Sequence, residues 1–242
     1  MILHFTLLLS LLLSGCASSR GFDRNAMHAT FHPGSGAVAG QKTPTTPTKQ
    51  PTMSMPFRLA LYFVQRDFPA HHTIQKAEWV SADGDALADW LTPLRNERIV
   101  TDIFLLTDST ILGSDVQQIR RAASRYGADA VMIVDGVAAV DRYNNGYAAL
   151  YATLIGAFLA PGTVSEALFM IDGSFWDVRT ERLFATQTAE GHSKSVGPAV
   201  GVEDRQVLAQ AKKAALDELG KRMIDEVRRL RDVPPRPSDR LR

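Results

Sequence analysis

Arg120-Arg121-Ala122-Ala123-Ser124-Arg125-Tyr126-Gly127-Ala128-Asp129-Ala130-Val131-Met132-Ile133-Val134-Asp135-Gly136 is the stretch whose reading decides the fold. Ser114 reads as the cap of a helix from about Asp115 to Tyr126, with Val116, Ile119, Ala122 and Ala123 along one face. Gly127 stands where a left-handed residue is wanted to end it. The apolar run from Ala128 to Val137 then reads as a buried strand. Helix, glycine, short turn and apolar strand make half of a βαβ unit, so the sheet has a parallel part.

Working back, Ile99 to Leu106 predicts a strand, closed by Asp108-Ser109-Thr110. Before it, Ala86 to Leu94 predicts a helix that sets Leu87, Trp90, Leu91 and Leu94 on one face, with Asp83 or Asp85 as its N-cap. Asp83-Gly84-Asp85 does not fit a calcium loop, because its glycine and closing glutamate are misplaced. Residues 65–77, with His71-His72, read as a loop. Phe57 to Val64 holds one charge and reads as a strand buried on both faces.

Working forward, Asn144 to Ser165 carries no charged residue. Read as a helix it aligns Tyr147, Leu150, Tyr151, Leu154, Ile155 and Phe158 on one side and the small residues Ala148, Ala152, Gly156 and Ala160 on another. Two readings stay open: a helix buried in the core, or a self-association or membrane face at Ala152, Gly156 and Ala160. Val164–Phe175 and Trp176–Glu190 predict a hairpin turning at Arg179-Thr180-Glu181, with Phe169, Ile171, Phe175 and Val178 in the core. Trp176 reads either as core or as an exposed anchor. Residues 191–202 read as a loop holding His192. Glu203 to about Leu230 predicts a long helix with Leu208, Ala211, Ala215, Leu219, Met223, Val227 and Leu230 inward. Its end, Arg228-Arg229-Leu230-Arg231, reads as a solvated basic face or as a contact for anionic lipid headgroups or cell-wall carboxylates.

Together these elements predict one α/β (α+β) domain at 57–232, a mixed sheet with flanking helices in two or three layers. A Pro/Arg-rich tail follows at 233–242. The helix, Gly-Ala-Asp and strand of 120–136 resemble a signature of periplasmic domains, namely the curli secretion channel subunit, the amino-terminal domain of the Tol-system propeller protein and lipoprotein activators of cell-wall synthases. Asp177-Val178-Arg179-Thr180-Glu181 is similar to that group's hairpin. Leu154-Ile155-Gly156-Ala157-Phe158 with Pro161-Gly162 resembles the bacterial rhombotarget lipoproteins, a family with no assigned chemistry.

The amino-terminal end supplies location. Ile2 to Leu13 is an apolar run too short to cross a ~30 Å hydrocarbon core, and reads as the core of a signal peptide at 1–15. Leu13-Ser14-Gly15-Cys16 resembles the lipobox of bacterial lipoproteins. The resemblance implies cleavage between Gly15 and Cys16, a diacylglyceryl thioether on the Cys16 sulfur and an acyl chain on its amine. Ala17-Ser18-Ser19, with no acidic residue after the cysteine, implies the outer membrane, with the protein facing the periplasm. Residues 16–56, which include the Thr/Pro tract Thr43–Thr52, read as a flexible tether holding the domain on the order of 35 to 100 Å from the lipid.

The chain has 242 residues, 45% hydrophobic and 22% charged, with a net charge of +1, which excludes a polyelectrolyte partner such as nucleic acid. Cys16 is its single cysteine, so acylation leaves no thiol for a disulfide, a nucleophile or a metal. His28-x-x-x-His32 lies in tether-like sequence, and Gly34, Gly36 and Gly40 miss the dinucleotide spacing. There is no Gly-x-Ser-x-Gly and no His-Glu-x-x-His. The expectation is therefore a binding or assembly protein of the cell envelope with no catalytic residue, no metal and no cofactor beyond its lipid, and with a protein partner. The alternatives are a ring-forming homo-oligomer like a secretion channel, or an enzyme if a pocket were to join His192 to a buried carboxylate such as Asp135 or Asp172.

Overall fold

The computed structural model describes residues 18–31, 53–65, 74–107, 111 and 115–232, apart from the Leu154 side chain. The signal peptide with Gly15 and Cys16, the Thr/Pro tract, His32, His71-His72, Asp108–Thr110, Ser114 and the tail lie outside these residues. The elements are α1 (Arg24–Phe31), β1 (Phe57–Phe63), β2 (Ile74–Lys76), α2 (Ser81–Trp90), α3 (Thr92–Asn96), β3 (Val100–Leu105), α4 (Val116–Arg125) and β4 (Ala130–Asn144). A 3₁₀ helix (Gly146–Ala152), α5 (Leu154–Leu159), β5 (Thr163–Asp177), β6 (Leu183–Gly197) and α6 (Asp204–Asp232) complete the domain.

The six-stranded sheet runs β3-β1-β4-β5-β6, with β2 also pairing with β4. β1 lies parallel to both β3 and β4. These two neighbours flank β1 on opposite sides, so the right-handed crossovers run in opposite directions and set α2 and α4 on opposite faces. Beyond β1 the sheet is antiparallel, and β4, β5 and β6 each extend over 15 residues.

Alternation along the strands sorts the core. Phe57, Leu59, Leu61, Met132, Val134, Phe169 and Ile171 face α2 and α6. Ala60, Tyr62, Val131 and Ile133 face Ile119, Ala122 and Ala123 of α4, while Val137, Ala139, Leu168 and Met170 on the same side face α1. The domain is thus the three-layer form of the expected fold. Phe169, Ile171, Phe175 and Val178 are buried as expected. Trp176 is half-buried against the α4 cluster, its indole N–H donating to Ser174 Oγ at 2.9 Å.

Several boundaries differ from the sequence reading, each for a local reason. The strand expected to stop at Val137 runs on to Asn144, because Gly136 is not an end: a Cβ there would lie 2.6 Å from Trp79 Cζ2, so this glycine lets an indole onto the sheet. The expected loop at 191–202 is strand as far as Gly197. The helix expected from Ala86 begins at Ser81, and Asp83 sits in its first turn, its carboxylate accepting from the Val80 N–H at 2.9 Å. Asp115 instead of Ser114 caps α4, accepting from the Gln117 N–H at 3.4 Å. Gly127, at φ +72°, ends that helix as expected. On α6, Val207 is buried and Leu208 only half-buried. Its basic end is solvated as expected, with Arg229 and Arg231 exposed, and Arg228 Nε and Arg231 Nη1 pair with Glu97 at 3.1 Å and 3.0 Å.

The β5–β6 turn is held from the far side of the sheet. Arg120 of α4 is buried and ion-pairs with Glu181, a turn residue at φ +63°, while its Nε has no hydrogen-bond partner. Removing the acid strands a buried cation, whereas removing the cation costs little. Glu181→Gln is expected to destabilise the domain by about 1 to 2 kcal/mol and Arg120→Met to be close to neutral, as read from urea midpoints.

Candidate functional site: the sheet tip and its strap

β4 and β5 pair without interruption to Asn144 opposite Thr163, and the chain between them forms a tip at one end of the sheet. Asn145 builds it from both sides: its Oδ1 accepts from the Tyr147 N–H at 2.9 Å and its Nδ2 donates to the Pro161 carbonyl at 2.8 Å. Thr153, extended at φ −104° and ψ 142°, divides the segment. Its Oγ1 accepts from the Gly156 N–H at 3.0 Å and starts α5. The single buried helix read over 144–165 is therefore corrected to a 3₁₀ helix and a six-residue α-helix, because Asn145 and Thr153 each offer a cap that competes with a continuous helical ladder.

Most of the face read as inward points outward: Tyr147 is 62% exposed, Leu150 53%, Ile155 72% and Phe158 55%, joined by Leu159 at 75%, while Tyr151 is half-buried with its hydroxyl 2.9 Å from Thr163 Oγ1. The small residues do not form one surface: Ala152 is exposed, Gly156 half-buried and Ala160 buried. A Cβ on Gly156 would lie 1.9 Å from the Leu150 carbonyl oxygen, so that glycine serves the tip's own packing.

Beside the tip the amino-terminal segment is strapped to the sheet. Asp141 Oδ2, on β4, accepts from Ser19 Oγ at 2.7 Å, from the Arg20 N–H at 2.9 Å and from the Gly21 N–H at 3.0 Å. Asp23 then caps α1, accepting from the Ala26 N–H at 2.9 Å. Met27 and Phe31 are buried against Ile74, Val137, Ala139, Leu168 and Met170. Arg24 Nε reaches Glu190 Oε2 at 2.9 Å. The tether expected over 16–56 is thus corrected at residues 18–31, which belong to the domain. The signal was present: Phe22, Asp23 and Met27 occupy N′, N-cap and N4, a hydrophobic staple around a capping acid.

Between strap and tip lies a polar cluster. Glu166 receives Lys194 Nζ and Tyr143 O–H, both at 2.7 Å, and His192 Nε2 stands 3.4 Å from its other oxygen. Lys194 first and Tyr143 second hold the Glu166 carboxyl below its ordinary value, while the hydrogen bond to Glu166 raises both partners. Each shift moves its group further from neutral pH, so the cluster is a charge lock. Stability from the depressed Glu166 is present above its ordinary value of 4.5 and is lost as the pH falls through the folded value. Stability from the raised Tyr143 is lost on the alkaline side, as the pH rises past its ordinary 10.0. Glu166→Gln is expected to lower the urea midpoint at pH 7, and the gap from wild type to close as both are titrated from pH 4.5 downward.

His192 therefore meets Glu166; Asp135 and Asp172 oppose each other further along the strands, where Asp172 Oδ1 accepts from Thr188 Oγ1 at 3.2 Å. A cleft of about 580 Å³ between α1 and α6 is lined by His28, Thr188, Glu190, Ala214, Glu218 and Arg222. Among the described residues no group of three or more His, Cys, Asp or Glu is placed to hold a metal ion, and no helix is long and apolar enough to cross a membrane.

No protein-family model and no curated protein matches the chain. Among solved structures it is similar to a PelC dodecamer from Paraburkholderia phytofirmans, at 12% identity over 74% of this chain and 95% of that one, with a TM-score of 0.31. It is also similar to a neuraminyllactose-binding hemagglutinin homolog from Helicobacter pylori, at 11% identity over 77% of this chain and 96% of that one, with a TM-score of 0.39. At such scores the functional reading rests on the residues of this chain alone.

Proposed function

We propose that this protein is a lipoprotein of the bacterial outer membrane, cleaved between Gly15 and Cys16, acylated on Cys16 and facing the periplasm, where it acts without catalysis as a binding or assembly factor for an envelope protein. The observation that carries the reading is the strap. It holds Ser19 on Asp141, three residues before the uncharged tip begins, so a lipid on Cys16, three residues before Ser19, would be within short reach of the end of the domain most compatible with a membrane surface. The lipobox-like Leu13-Ser14-Gly15-Cys16 and the resemblance to the rhombotarget lipoproteins support the same reading. Two or three acyl chains, at ~0.8 kcal/mol per buried methylene, anchor a protein durably where one chain does not. The non-catalytic part is supported by the locked Glu166 cluster, which leaves acid, base and amine in their resting charge states.

The test is metabolic labelling with palmitate of wild type and Cys16→Ser, followed by separation of inner and outer membranes. Label on the wild type alone, in the outer-membrane fraction, is expected; equal labelling of both would remove the anchor. Crosslinking in cells from the exposed edge of β6 then identifies the partner, and a large uniform particle in detergent would replace this reading by a ring of copies.

A further inference from the structure

We infer that the tip itself enters the bilayer: Tyr147, Leu150, Ile155, Phe158 and Leu159 form an interfacial membrane-insertion site that fixes how the domain stands on the membrane. This inference deepens the anchored-lipoprotein reading and rests on it. All five side chains are more than half exposed, and from Asn144 to Ser165 there is no Asp, Glu, Lys, Arg or His to keep the segment in water. An uncharged apolar knuckle of this kind marks a contact surface.

The path of the chain selects lipid as the occupant. Ser19 Oγ lies 2.7 Å from Asp141 Oδ2. Residue 16 lies three residues before Ser19, a span of at most about 10 Å. Asp141 lies three residues before Asn144, where β4 enters the tip, again about 10 Å. An acylated Cys16 thus holds the base of the tip within a short reach of the headgroups. A partner protein or a second copy seated there would have to fit between the tip and that surface. The tip is also built for an interface and not for a span: α5 has six residues, far short of crossing. Tyr147 is a ring of the kind that settles at headgroup depth, and Phe158, Ile155 and Leu159 are side chains of the kind that go beneath it.

The experiment uses the acylated full-length chain in vesicles of phosphatidylethanolamine and phosphatidylglycerol. Ile155→Cys, or Leu183→Cys as control, is labelled with an environment-sensitive dye and challenged with lipid-borne nitroxide. Leu183 is exposed and begins β6 at the other end of the β5–β6 hairpin, about 45 Å away. Quenching at 155 and none at 183 is expected; equal quenching at the two positions overturns the proposal. A signal at 155 that depends on protein concentration and not on nitroxide overturns it in favour of a second copy. In the unacylated Cys16→Ser chain, Ile155→Glu and Leu159→Glu are each expected to weaken partition into the same vesicles about tenfold. Unchanged partition counts against the tip. Failure of the anchoring reading appears separately, as dye on Cys16 of the wild-type chain; the tip is then judged by quenching on the Cys16→Ser, Ile155→Cys chain.

Discussion

Gly191→Ala is expected to cost about 3 kcal/mol and to lower the melting temperature on the order of 10 °C, although it adds only a methyl group. A Cβ there would lie 2.1 Å from the Ala211 carbonyl oxygen and 2.4 Å from the Ala215 N–H nitrogen. Both are backbone atoms of α6, so no side chain can turn aside. The helix must lift from β6, and with it move Val207, Ala211, Ala215 and Leu219, all buried in the largest apolar cluster. Gly146→Ala is the control: a Cβ there meets nothing within 4 Å, and the substitution is expected to stay within about 0.5 kcal/mol of wild type. Calorimetry on the two variants reads the difference directly.

Met27→Asp is expected to detach α1 while leaving the sheet folded. Met27 is fully buried, and a carboxylate in its place would have to give up its hydration among Ile74, Val137, Leu168 and Met170. The docking of α1 is worth a few kcal/mol on the area of Met27 and Phe31 alone, less than the cost of burying an unpaired charge. Release is therefore the cheaper response. Brief trypsin treatment is expected to cut the variant at Arg20 and Arg24 within the time that the wild type resists. The fragment carrying β1 to α6 should keep its melting transition, with a loss of about 2 to 3 kcal/mol for the exposed sheet face.

The alternation of the sheet and the long helix were legible in the sequence because both are written in apolar periodicity. Phe57–Val64, Ile99–Leu106 and the core residues of β5 lie where the pattern puts them. The misreadings cluster at glycines and at caps. The strand read to Val137 and the loop read from 191 both stopped short beside a glycine, and Gly136 and Gly191 each mark a place where a tryptophan or a helix backbone comes against a continuing strand, a contact made by residues distant in sequence. The segment 144–165 has a true helical period, yet Asn145 and Thr153 outbid it locally, and nothing in the period tells whether the apolar side turns inward. Short α1 was hidden by the composition around it, although its staple was visible in Phe22, Asp23 and Met27. The charge lock of Glu166 joins three strands and was beyond reach of any local pattern.

The strap changes what residues 32–52 can do. Phe31 is buried on one face of the sheet and Met53 packs on the other, so both ends of that stretch are moored to the same body. Its length is then no measure of how far the domain stands from its anchor. Homologous chains could lengthen or shorten the Thr/Pro stretch without altering that height, and deletions within it should be silent in the membrane-proximity assay. Only when α1 lets go does the stretch become slack line that is paid out, and the domain gains a radius of action it otherwise lacks.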